Sequence, residues 1–422
     1  MRIMVIGGGG REHAIVWALN KSDKVKKIYC APGNAGIAEL AECVPIAVNR
    51  FADLIQFACD NEVDLVVVGP DDPLADGIVD AFEEQNIPIY GPRRNAAAIE
   101  GSKIFMKNLL KKYSIPTAKY ETFTDHESAL AYLRGQTAPI VVKADGLAAG
   151  KGVTVAYTIA EAEQALHDMM VGKVFGESGG RVVIEEFLEG QEMSILAFVD
   201  GETVRAMVPA QDHKPVFDND KGPNTGGMGT YTPLPHIDPA LVEDAIENII
   251  KPTARAMVSE GCPFRGVLFA GLIITKDGVK TIEFNARMGD PETQVVLPRL
   301  ETDLVDIILA SLNGRLDQID ITWSNEAVVC VIAASEGYPA AYPRGRVITG
   351  LEAAKAQGAL VFHAGTSEQD GEIVTNGGRV LGIVGRGKDI AEARARAYEA
   401  VSTIHFDGMH SRTDIGAKAL KN

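Results

Sequence analysis

The densest group of residues able to do chemistry lies in one short stretch, Ile282-Glu283-Phe284-Asn285-Ala286-Arg287-Met288-Gly289-Asp290-Pro291-Glu292. Because side chains alternate along a strand, Glu283, Asn285 and, if the strand continues, Arg287 share one face. A carboxylate beside an amide oxygen suits Mg²⁺ that bridges nucleotide phosphates. An adjacent guanidinium can hold a carboxylate or stabilise a phosphoryl group in transfer. The pattern predicts a metal-assisted phosphoryl-transfer site, although a surface strand with an ordinary Glu–Arg pair also fits this stretch taken alone.

Two glycine-rich segments could bind anions. Gly7–Gly10 follow a predicted strand and open a predicted helix, where free N–H groups attract phosphate. The third glycine of the dinucleotide fingerprint is missing, which disfavours nicotinamide chemistry. Asp145–Gly152 resembles a P-loop, but three residues instead of four separate Gly146 from Gly150-Lys151. In addition, Gly152 stands where a P-loop has the Ser or Thr whose hydroxyl binds magnesium. We interpret this segment as a hairpin loop that can fold over phosphates.

The hydrophobic pattern predicts three units that would position these motifs. Residues 1–101 alternate strand and helix, which predicts a doubly wound parallel sheet. Residues 102–325 form a central α/β unit with an irregular, Gly- and Pro-rich segment at 211–235. Residues 326–422 are a strand-rich unit that closes with a helix. The expected fold class is α/β, or α+β overall.

Composition favours a cytoplasmic protein. The net charge of −16 is a poor match for nucleic acid or an anionic membrane surface. No apolar run reaches the length of a membrane span, and the N-terminus lacks the apolar stretch of a secretory signal. Five scattered cysteines, none in a Cys-x-x-Cys pair, argue against a disulfide or zinc framework. We expect small-molecule partners, no nucleic acid and no membrane; the oligomeric state is left open, with a monomer plausible.

A series of motifs, taken in order, resembles the ATP-grasp enzymes and, among them, the glycinamide ribonucleotide synthetase (phosphoribosylamine–glycine ligase) family. The resemblance spans nearly the whole chain and rests on Gly8-Gly9-Gly10-Arg11-Glu12-His13-Ala14, Ala31–Gly36, Val68-Gly69-Pro70, Gly101-Ser102-Lys103, Lys143–Gly152, Ile184–Leu188, Gln211-Asp212-His213-Lys214, Gly222–Gly229, Arg287–Gln294, His363-Ala364-Gly365-Thr366 and Thr375–Arg379. It implies an N-terminal Rossmann-like substrate domain, a central ATP-grasp domain with a mobile lid subdomain at about 116–190, and a C-terminal domain. It also implies that 5-phosphoribosylamine, glycine and ATP give glycinamide ribonucleotide, ADP and phosphate through glycyl phosphate, in de novo purine (IMP) biosynthesis.

The resemblance further implies a role for each site residue. ATP is expected to bind Lys103, Lys143, Gly146, Gly150, Lys151, Gly152, Glu185, Glu186, Phe187, Leu188 and Glu192. Mg²⁺ or Mn²⁺ is expected on Glu283 and Asn285, with Arg287 orienting the glycine carboxylate and Asp212 and Lys214 near the acyl phosphate. The remaining substrate contacts are expected at Gly8, Gly9, Gly10, Arg11, Pro32, Gly33, Asn34, Pro70, Asp71, Pro73, Thr225, Gly226, Gly227 and Asp290.

The chain departs from the family pattern at two places. Met288 stands where Phe or Leu is more frequent, a change that conserves volume. The strand Leu268–Ile274 has no acidic residue, so the resemblance does not extend to a second protein-held magnesium ion.

Three alternative functions are open at this point. Another ATP-grasp ligase or carboxylase that uses bicarbonate or formate is disfavoured by the loops of the first domain. A non-catalytic nucleotide sensor is disfavoured by Glu283 and Asn285. An NAD dehydrogenase is a more distant third.

Overall fold

The structure, a computed structural model, describes residues 1–147 and 152–420. The predicted ATP-binding residues Gly150 and Lys151 lie outside this range.

The N-terminal residues form the predicted parallel sheet, with strand order β3-β2-β1-β4-β5. Val66, Val67 and the rest of β4 are buried, as expected of an apolar strand whose sheet is covered on both faces. The elements are β1 (Arg2–Gly7), α1 (Gly10–Leu19), β2 (Lys27–Pro32), β3 (Glu42–Cys43), α2 (Phe51–Asp60), β4 (Leu65–Val68), α3 (Asp71–Asp76), α4 (Ile78–Glu84), β5 (Ile89–Tyr90) and α5 (Arg94–Gly101).

The next region contains a small antiparallel sheet, in the order β6-β9-β7-β8. Two helices cover it, and Val142, Leu166 and Ile184 belong to its own apolar core. The elements are α6 (Lys103–Lys112), β6 (Tyr120–Phe123), α7 (His126–Arg134), β7 (Ile140–Ala144), β8 (Val153–Ala156), α8 (Ile159–Met170) and β9 (Val182–Glu186).

The rest of the chain contributes two larger sheets. Its elements are β10 (Gln191–Asp200), β11 (Thr203–Ala206), β12 (Gln211–Asp212), β13 (Pro215–Phe217), β14 (Lys221–Asn224), β15 (Gly229–Thr232), α9 (Pro239–Ala245), a π-helical turn (Ile246–Ile250), α10 (Lys251–Ser259), β16 (Arg265–Thr275), β17 (Gly278–Asn285), α11 (Thr293–Val296), α12 (Leu304–Leu312), β18 (Ala327–Ala334), α13 (Leu351–Ala356), β19 (Leu360–His363), β20 (Thr366–Gln369), β21 (Glu372–Thr375), β22 (Arg379–Gly387) and α14 (Ile390–Thr403).

One large sheet has the order β11-β10-β16-β17 and carries the predicted metal-binding strand at its edge. The other has the order β12-β15-β18-β22-β19. The expectation that 211–235 is irregular was wrong, because four short strands lie within it. Its glycines and prolines disfavour strand, and β15 is held in place by pairing with β12 and with the distant β18. This sheet therefore crosses the domain division predicted at 325/326, which stays a prediction.

No helix within residues 1–147 and 152–420 is both long and apolar enough to cross a membrane.

Candidate active site

The predicted metal ligands lie at the end of β17. Glu283 and Asn285 are partly exposed, whereas Phe284 between them is buried. Neither side chain has a hydrogen bond or ion pair with any residue that the structure describes. The alternation continues past the strand, so that Arg287 is partly exposed while Met288 is buried. The three predicted side chains therefore follow one another at the same edge of the sheet.

This pair fits a hard cation. Its carboxylate and amide oxygens are the donor types that Mg²⁺ prefers, and Glu283 has no protein cation bound to it among the described residues. No group of three or more His, Cys, Asp or Glu side chains in the described part of the chain could hold a metal ion. An ion here would therefore take its other ligands from phosphate oxygens and water.

Lys103 begins α6 and points towards the glycine-rich loop. Its Nζ donates to the backbone oxygen of Gly146 at 2.6 Å. Burial lowers the pKa of Lys103, and the nearby charge of Lys143 adds to that effect while Glu283 opposes it. A cation is thus held beside the predicted metal ligands at the start of the predicted lid loop.

Asp145 fixes this arrangement from the loop side. Its Oδ1 accepts from Ser102 Oγ at 3.0 Å and from the backbone N–H of Ile104 at 3.1 Å. Its Oδ2 pairs with Arg181 at 2.7 Å. Asp145 therefore satisfies donors at the open N-terminus of α6 and ties the loop to Lys103.

The second predicted phosphate-binding lysine, Lys143, is paired within the protein. Its Nζ contacts the Glu185 carboxylate and lies 3.3 Å from the backbone oxygen of Ile282. The other oxygen of Glu185 contacts Lys107, which is fully buried and also donates to Thr117 Oγ1 at 2.7 Å. Burial alone would raise the pKa of Glu185, but the two lysines outweigh it and lower that pKa. One carboxylate thus balances two buried ammonium groups, which leaves a net positive charge to face phosphates.

The residues predicted to bind adenine lie on both sides of the end of β9. Glu185 and Glu186 lie in the strand, where Glu185 is in register with both β6 and β7. Phe187 and Leu188 follow the strand, and their backbone groups have no backbone partner among the described residues. The Phe187 ring lies 6.3 Å from that of the exposed Tyr157. The backbone without such partners is thus at 187–188, and adenine binding by Glu185–Leu188 stays a prediction.

Lys214 is surrounded by carboxylates. Its Nζ lies 3.1 Å from Asp212 and 3.2 Å from Glu192. Burial would lower the pKa of Lys214, but these carboxylates, Glu283 and Glu292 outweigh it and hold that pKa well above its usual value. Burial, and then the charge of Asp212, raises the pKa of Glu292 to about 7. Glu292 was not among the predicted site residues.

The loop 225–227 is tied to Lys214 and to the C-terminal region. Thr225 donates to the Lys214 backbone oxygen through its N–H at 2.8 Å and through Oγ1 at 2.7 Å. From β22, Arg379 donates to the backbone oxygens of Gly226 at 2.6 Å and of Asp290 at 2.9 Å. It also pairs with the Asp290 carboxylate at 3.0 Å. Arg379 therefore joins the two predicted substrate loops.

The loops of the N-terminal domain reach the same place. Arg11 is buried, pairs with Glu12 at 2.6 Å and donates to the backbone oxygen of Met288 at 3.2 Å. Burial would lower the pKa of Arg11, but Glu12, Asp290 and Asp71 outweigh it and raise that pKa. Gly9 donates its N–H to Glu12 at 2.6 Å.

The Pro32–Asn34 loop is hydrogen-bonded to the N-terminal and the C-terminal regions. Asn34 Nδ2 donates to the backbone oxygen of Gly8 at 2.9 Å and to that of His363 at 2.8 Å. A side chain at Gly8 would collide with the backbone oxygen of Gly33 at 2.5 Å. The C-terminal region thus supports the predicted phosphoribosylamine loop.

Hydrogen bonds and ion pairs join many of the predicted residues to one another, whereas Gly150 and Lys151 lie outside the described residues. Gly10 packs against Gln294 and Asp71 acts electrostatically on Arg11, whereas no direct contact joins Pro70 or Pro73 to the cleft side chains above. Sequence reasoning missed residues that act through a partner: Glu12, Glu100, Lys107, Glu292 and Arg379. Most lie in or beside recognised motifs, but their partners are distant in sequence. The only signal for them in the sequence was therefore their charge.

Comparison with protein families matches three consecutive regions of the chain. The descriptions read Phosphoribosylglycinamide synthetase, N domain, for residues 1–100; ATP-grasp (A) domain, for 101–293; and C domain, for 328–418.

Curated relatives match over the full length. A phosphoribosylamine–glycine ligase of Caldanaerobacter subterraneus subsp. tengcongensis is 52% identical over 417 residues, which is 99% of this chain and 100% of the relative. Its counterpart in Escherichia coli K12 is 49% identical and covers 100% of this chain and 99% of its own.

Two solved structures are similar in fold. The crystal structure of phosphoribosylamine–glycine ligase from Thermotoga maritima has a TM-score of 0.87 at 33% identity, covering 98% of this chain and 100% of its own. The biotin carboxylase domain of 2-oxoglutarate carboxylase from Hydrogenobacter thermophilus, in complex with MgADP, ADP and bicarbonate, has a TM-score of 0.74 at 16% identity, covering 97% and 91%. At that identity the second likeness concerns the fold alone.

Proposed function

The chain belongs to the phosphoribosylglycinamide synthetase family, and from that premise we propose how its residues divide the reaction. It is an ATP-dependent ligase with the activity of a phosphoribosylamine–glycine ligase, which forms glycinamide ribonucleotide, consistent with purine biosynthesis. The predictions of this activity and of an ATP-grasp fold are confirmed. The residue roles that follow are proposals.

We propose that the reaction passes through glycyl phosphate. A glycine carboxylate oxygen attacks the γ-phosphorus of ATP, and the bond to the bridging oxygen of ADP breaks. The amine nitrogen of phosphoribosylamine then attacks the carbonyl carbon, the bond to phosphate breaks, and the amine releases a proton. Activation is needed because a carboxylate cannot expel oxide. Enzyme thiolates are poor candidates for this step, since burial raises the pKa of both Cys30 and Cys330.

The observation that carries this proposal is that Glu283 and Asn285, which lie near the charge of Lys103, have no hydrogen-bond or ion-pair partner in the described part of the chain. Phosphoryl transfer needs little covalent help, so positioned charges supply most of the catalysis. Lys103 and Lys143 would contact the phosphates as point charges. Magnesium held by Glu283 and Asn285, with manganese as a substitute, would neutralise charge on the phosphates; the MgADP complex of the carboxylase that shares this fold supports this choice.

The nucleoside would bind between the small antiparallel sheet β6-β9-β7-β8 and β10. The backbone of Phe187 and Leu188 is available to adenine because β9 ends at Glu186. Glu192, whose side chain is 47% exposed, would accept from the ribose hydroxyls and give up its contact with Lys214 in part.

Arg287 would orient the glycine carboxylate against the γ-phosphate, since a guanidinium can bind a carboxylate through two parallel hydrogen bonds. Lys214, with Asp212 beside it, and the N–H groups of loop 225–227 would surround the acyl phosphate. Exclusion of water matters at this point, because a free acyl phosphate hydrolyses.

Phosphoribosylamine would bind between the N-terminal loops and the 288–294 turn. Gly8–Gly10 open α1, where free N–H groups and the helix dipole favour a phosphate. Asn34 fixes the neighbouring loop to Gly8. We further propose that the protein acts in the cytoplasm on small molecules alone, which its negative charge and the metabolic role of its relatives support.

The intermediate can be tested with glycine labelled with oxygen-18 in its carboxylate. We expect one labelled oxygen in the inorganic phosphate and unlabelled ADP as the nucleotide product. A control with unlabelled glycine in oxygen-18 water should give unlabelled phosphate, which excludes exchange with solvent. Label in AMP, or phosphate without label from labelled glycine, would contradict the mechanism.

A further inference from the structure

The junction between α5 and α6 contacts several parts of the site at once. Ser102 and Ile104 hold Asp145, and Lys103 holds the backbone oxygen of Gly146, as described above. Glu100 lies near the end of α5 in the same junction and contacts the segment that follows β17.

Glu100 makes two contacts there, one with each carboxylate oxygen. Oε1 pairs with Arg287 Nη2 at 3.0 Å, and Oε2 accepts from the backbone N–H of Ala286 at 2.7 Å. The Glu100 side chain is only 8% exposed. It therefore fixes both the guanidinium of Arg287 and the backbone that carries it.

The rest of the Arg287 guanidinium remains available. Nη1 reaches the backbone oxygen of Met288 only at 3.5 Å, a long and weak contact. Nε is buried and has no hydrogen-bond partner among the described residues. Because a buried unpaired donor is costly, these donors indicate a partner that arrives with the substrate.

We propose that Glu100 is a positioning residue for Arg287, which holds the guanidinium in the orientation that binds the glycine carboxylate without itself touching a substrate. This inference rests on the role proposed above for Arg287. A planar guanidinium held along one edge presents its other donors in a fixed direction, whereas an untethered side chain samples several rotamers. Removal of Glu100 should therefore weaken glycine binding selectively.

The test is a double-mutant cycle in the full chain, with Glu100→Gln, Arg287→Gln and the pair combined. ADP release is measured while ATP, glycine and phosphoribosylamine are varied in turn. We expect Glu100→Gln to raise KM for glycine roughly 10-fold or more, since small misplacements of positioning groups are costly, with KM for ATP within about 2-fold. The double variant should be no worse for glycine than Arg287→Gln alone, because Glu100 acts through Arg287.

Two further variants make the result decisive. Glu84→Gln, an exposed glutamate on α4, is the matched control and should behave as the unmodified chain. Glu100→Asp keeps a carboxyl group but moves it back by one methylene, so an intermediate KM for glycine is expected. If Glu100→Gln fails to fold, Glu100→Asp takes its place in the cycle.

The failures are distinguishable. An unchanged KM for glycine in Arg287→Gln would remove the proposed role of Arg287, and with it this inference. A raised KM in Arg287→Gln, with none in the Glu100 variants or with effects that multiply in the double variant, would overturn only the role of Glu100.

Discussion

Most charged side chains of the site form an ion pair with another side chain. Glu185 holds Lys107 and Lys143, and Arg379 holds Asp290. Buried charges of this kind need a partner, because an unpaired buried ion is strongly destabilising. Glu283 is partly exposed and has no hydrogen bond or ion pair among the described residues, where Lys103 and Lys214 act on it only as nearby charges, so its carboxylate should contribute little to the stability of the fold.

We therefore expect Glu283→Gln to lower kcat/KM roughly 100-fold, because the loss of one charged ligand weakens the hold on magnesium and the phosphates. Thermal stability should barely change, since the side chain has no described partner to lose. ADP release and thermal unfolding measure the two effects. Glu202→Gln, at the exposed turn of the β10–β11 hairpin, is the control and should retain activity. Near-normal turnover of Glu283→Gln at ordinary magnesium concentrations would refute the ligand role.

Glu100 should give the protein a specific pH dependence of stability. Burial raises its pKa from 4.5 to about 7; Asp71 adds to this, while Arg287, the Ala286 N–H and Arg11 oppose it. Between these values the folded protein keeps a proton that the unfolded chain releases. The resulting stabilisation is complete below about pH 4.5 and is lost as the pH rises through about 7.

The variant Glu100→Gln cannot lose this proton, so its thermal unfolding temperature should fall less than that of the unmodified chain between about pH 5.5 and about pH 8. Scans at the two pH values, with Glu84→Gln as control, measure the difference. An equal change in both proteins would mean that Glu100 does not titrate in this window.

Single residues were predictable where a motif carried them, and much less so where a partner did. The alternation around Glu283 could be derived from the strand period, and the structure retains it through Arg287. Lys107 reads as one more lysine on an amphipathic helix, because the strand that holds Glu185 follows many residues later. Its burial depends on tertiary contacts, which local periodicity does not contain.

At the level of elements, the start of α6 is stabilised from outside the helix. Ser102 caps it by accepting from the N–H of Phe105 at 3.1 Å, and Asp145 accepts from the N–H of Ile104. The helix therefore holds Lys103 in place only while the loop that carries Asp145 is docked against it.

Asp145→Ala should loosen this helix end. The loss of a cap costs about 1 kcal/mol, which corresponds to roughly fivefold faster hydrogen exchange at Ile104, and KM for ATP should rise several-fold because Lys103 loses its support. Asp125→Ala removes a similar cap, in which Asp125 accepts from Ser128 at 2.9 Å on α7. That control should speed exchange on α7 and leave KM for ATP unchanged. If both variants affect ATP equally, the link between Asp145 and Lys103 is not specific.

Helices and long strands were easier to predict than short strands. The closing helix was expected and is present as α14, and β18 is a continuous apolar run that is buried throughout. The strands within 211–235 have two to four residues each and contain Gly, Pro and Asn. β15 is held by the distant β18 and β12 pairs with β15, whereas β13 and β14 form a separate two-stranded sheet, so the local sequence alone favours loop.

At the level of the whole molecule, all three sequence regions meet at the 288–294 turn. Arg11 reaches it from the N-terminal region through the backbone oxygen of Met288. Arg379 reaches it from the C-terminal region through Asp290. The sequence motifs indicated that each region contributes to one activity, but the convergence on a single turn could not be derived, since it depends on how the sheets pack.

Arg379 is the side chain on which this convergence most depends, because its guanidinium contacts Asp290 twice and loop 225–227 at the same time. We expect Arg379→Lys to lower kcat about 10- to 100-fold, since a lysine keeps the charge but cannot span three acceptors in fixed directions. The matched control is Arg386→Lys on the same strand, where the one ion pair within residues 1–147 and 152–420 is a long one of 3.8 Å to Glu326, and its kcat should stay within about 2-fold. Steady-state ADP release with all three substrates measures both variants, and thermal unfolding shows whether either has lost its fold. A folded Arg379→Lys enzyme with normal kcat would mean that the C-terminal region covers the site without shaping it. A lower kcat in Arg379→Lys, with none in Arg386→Lys, would support a direct contribution of this region to the geometry of loop 225–227 and the 288–294 turn.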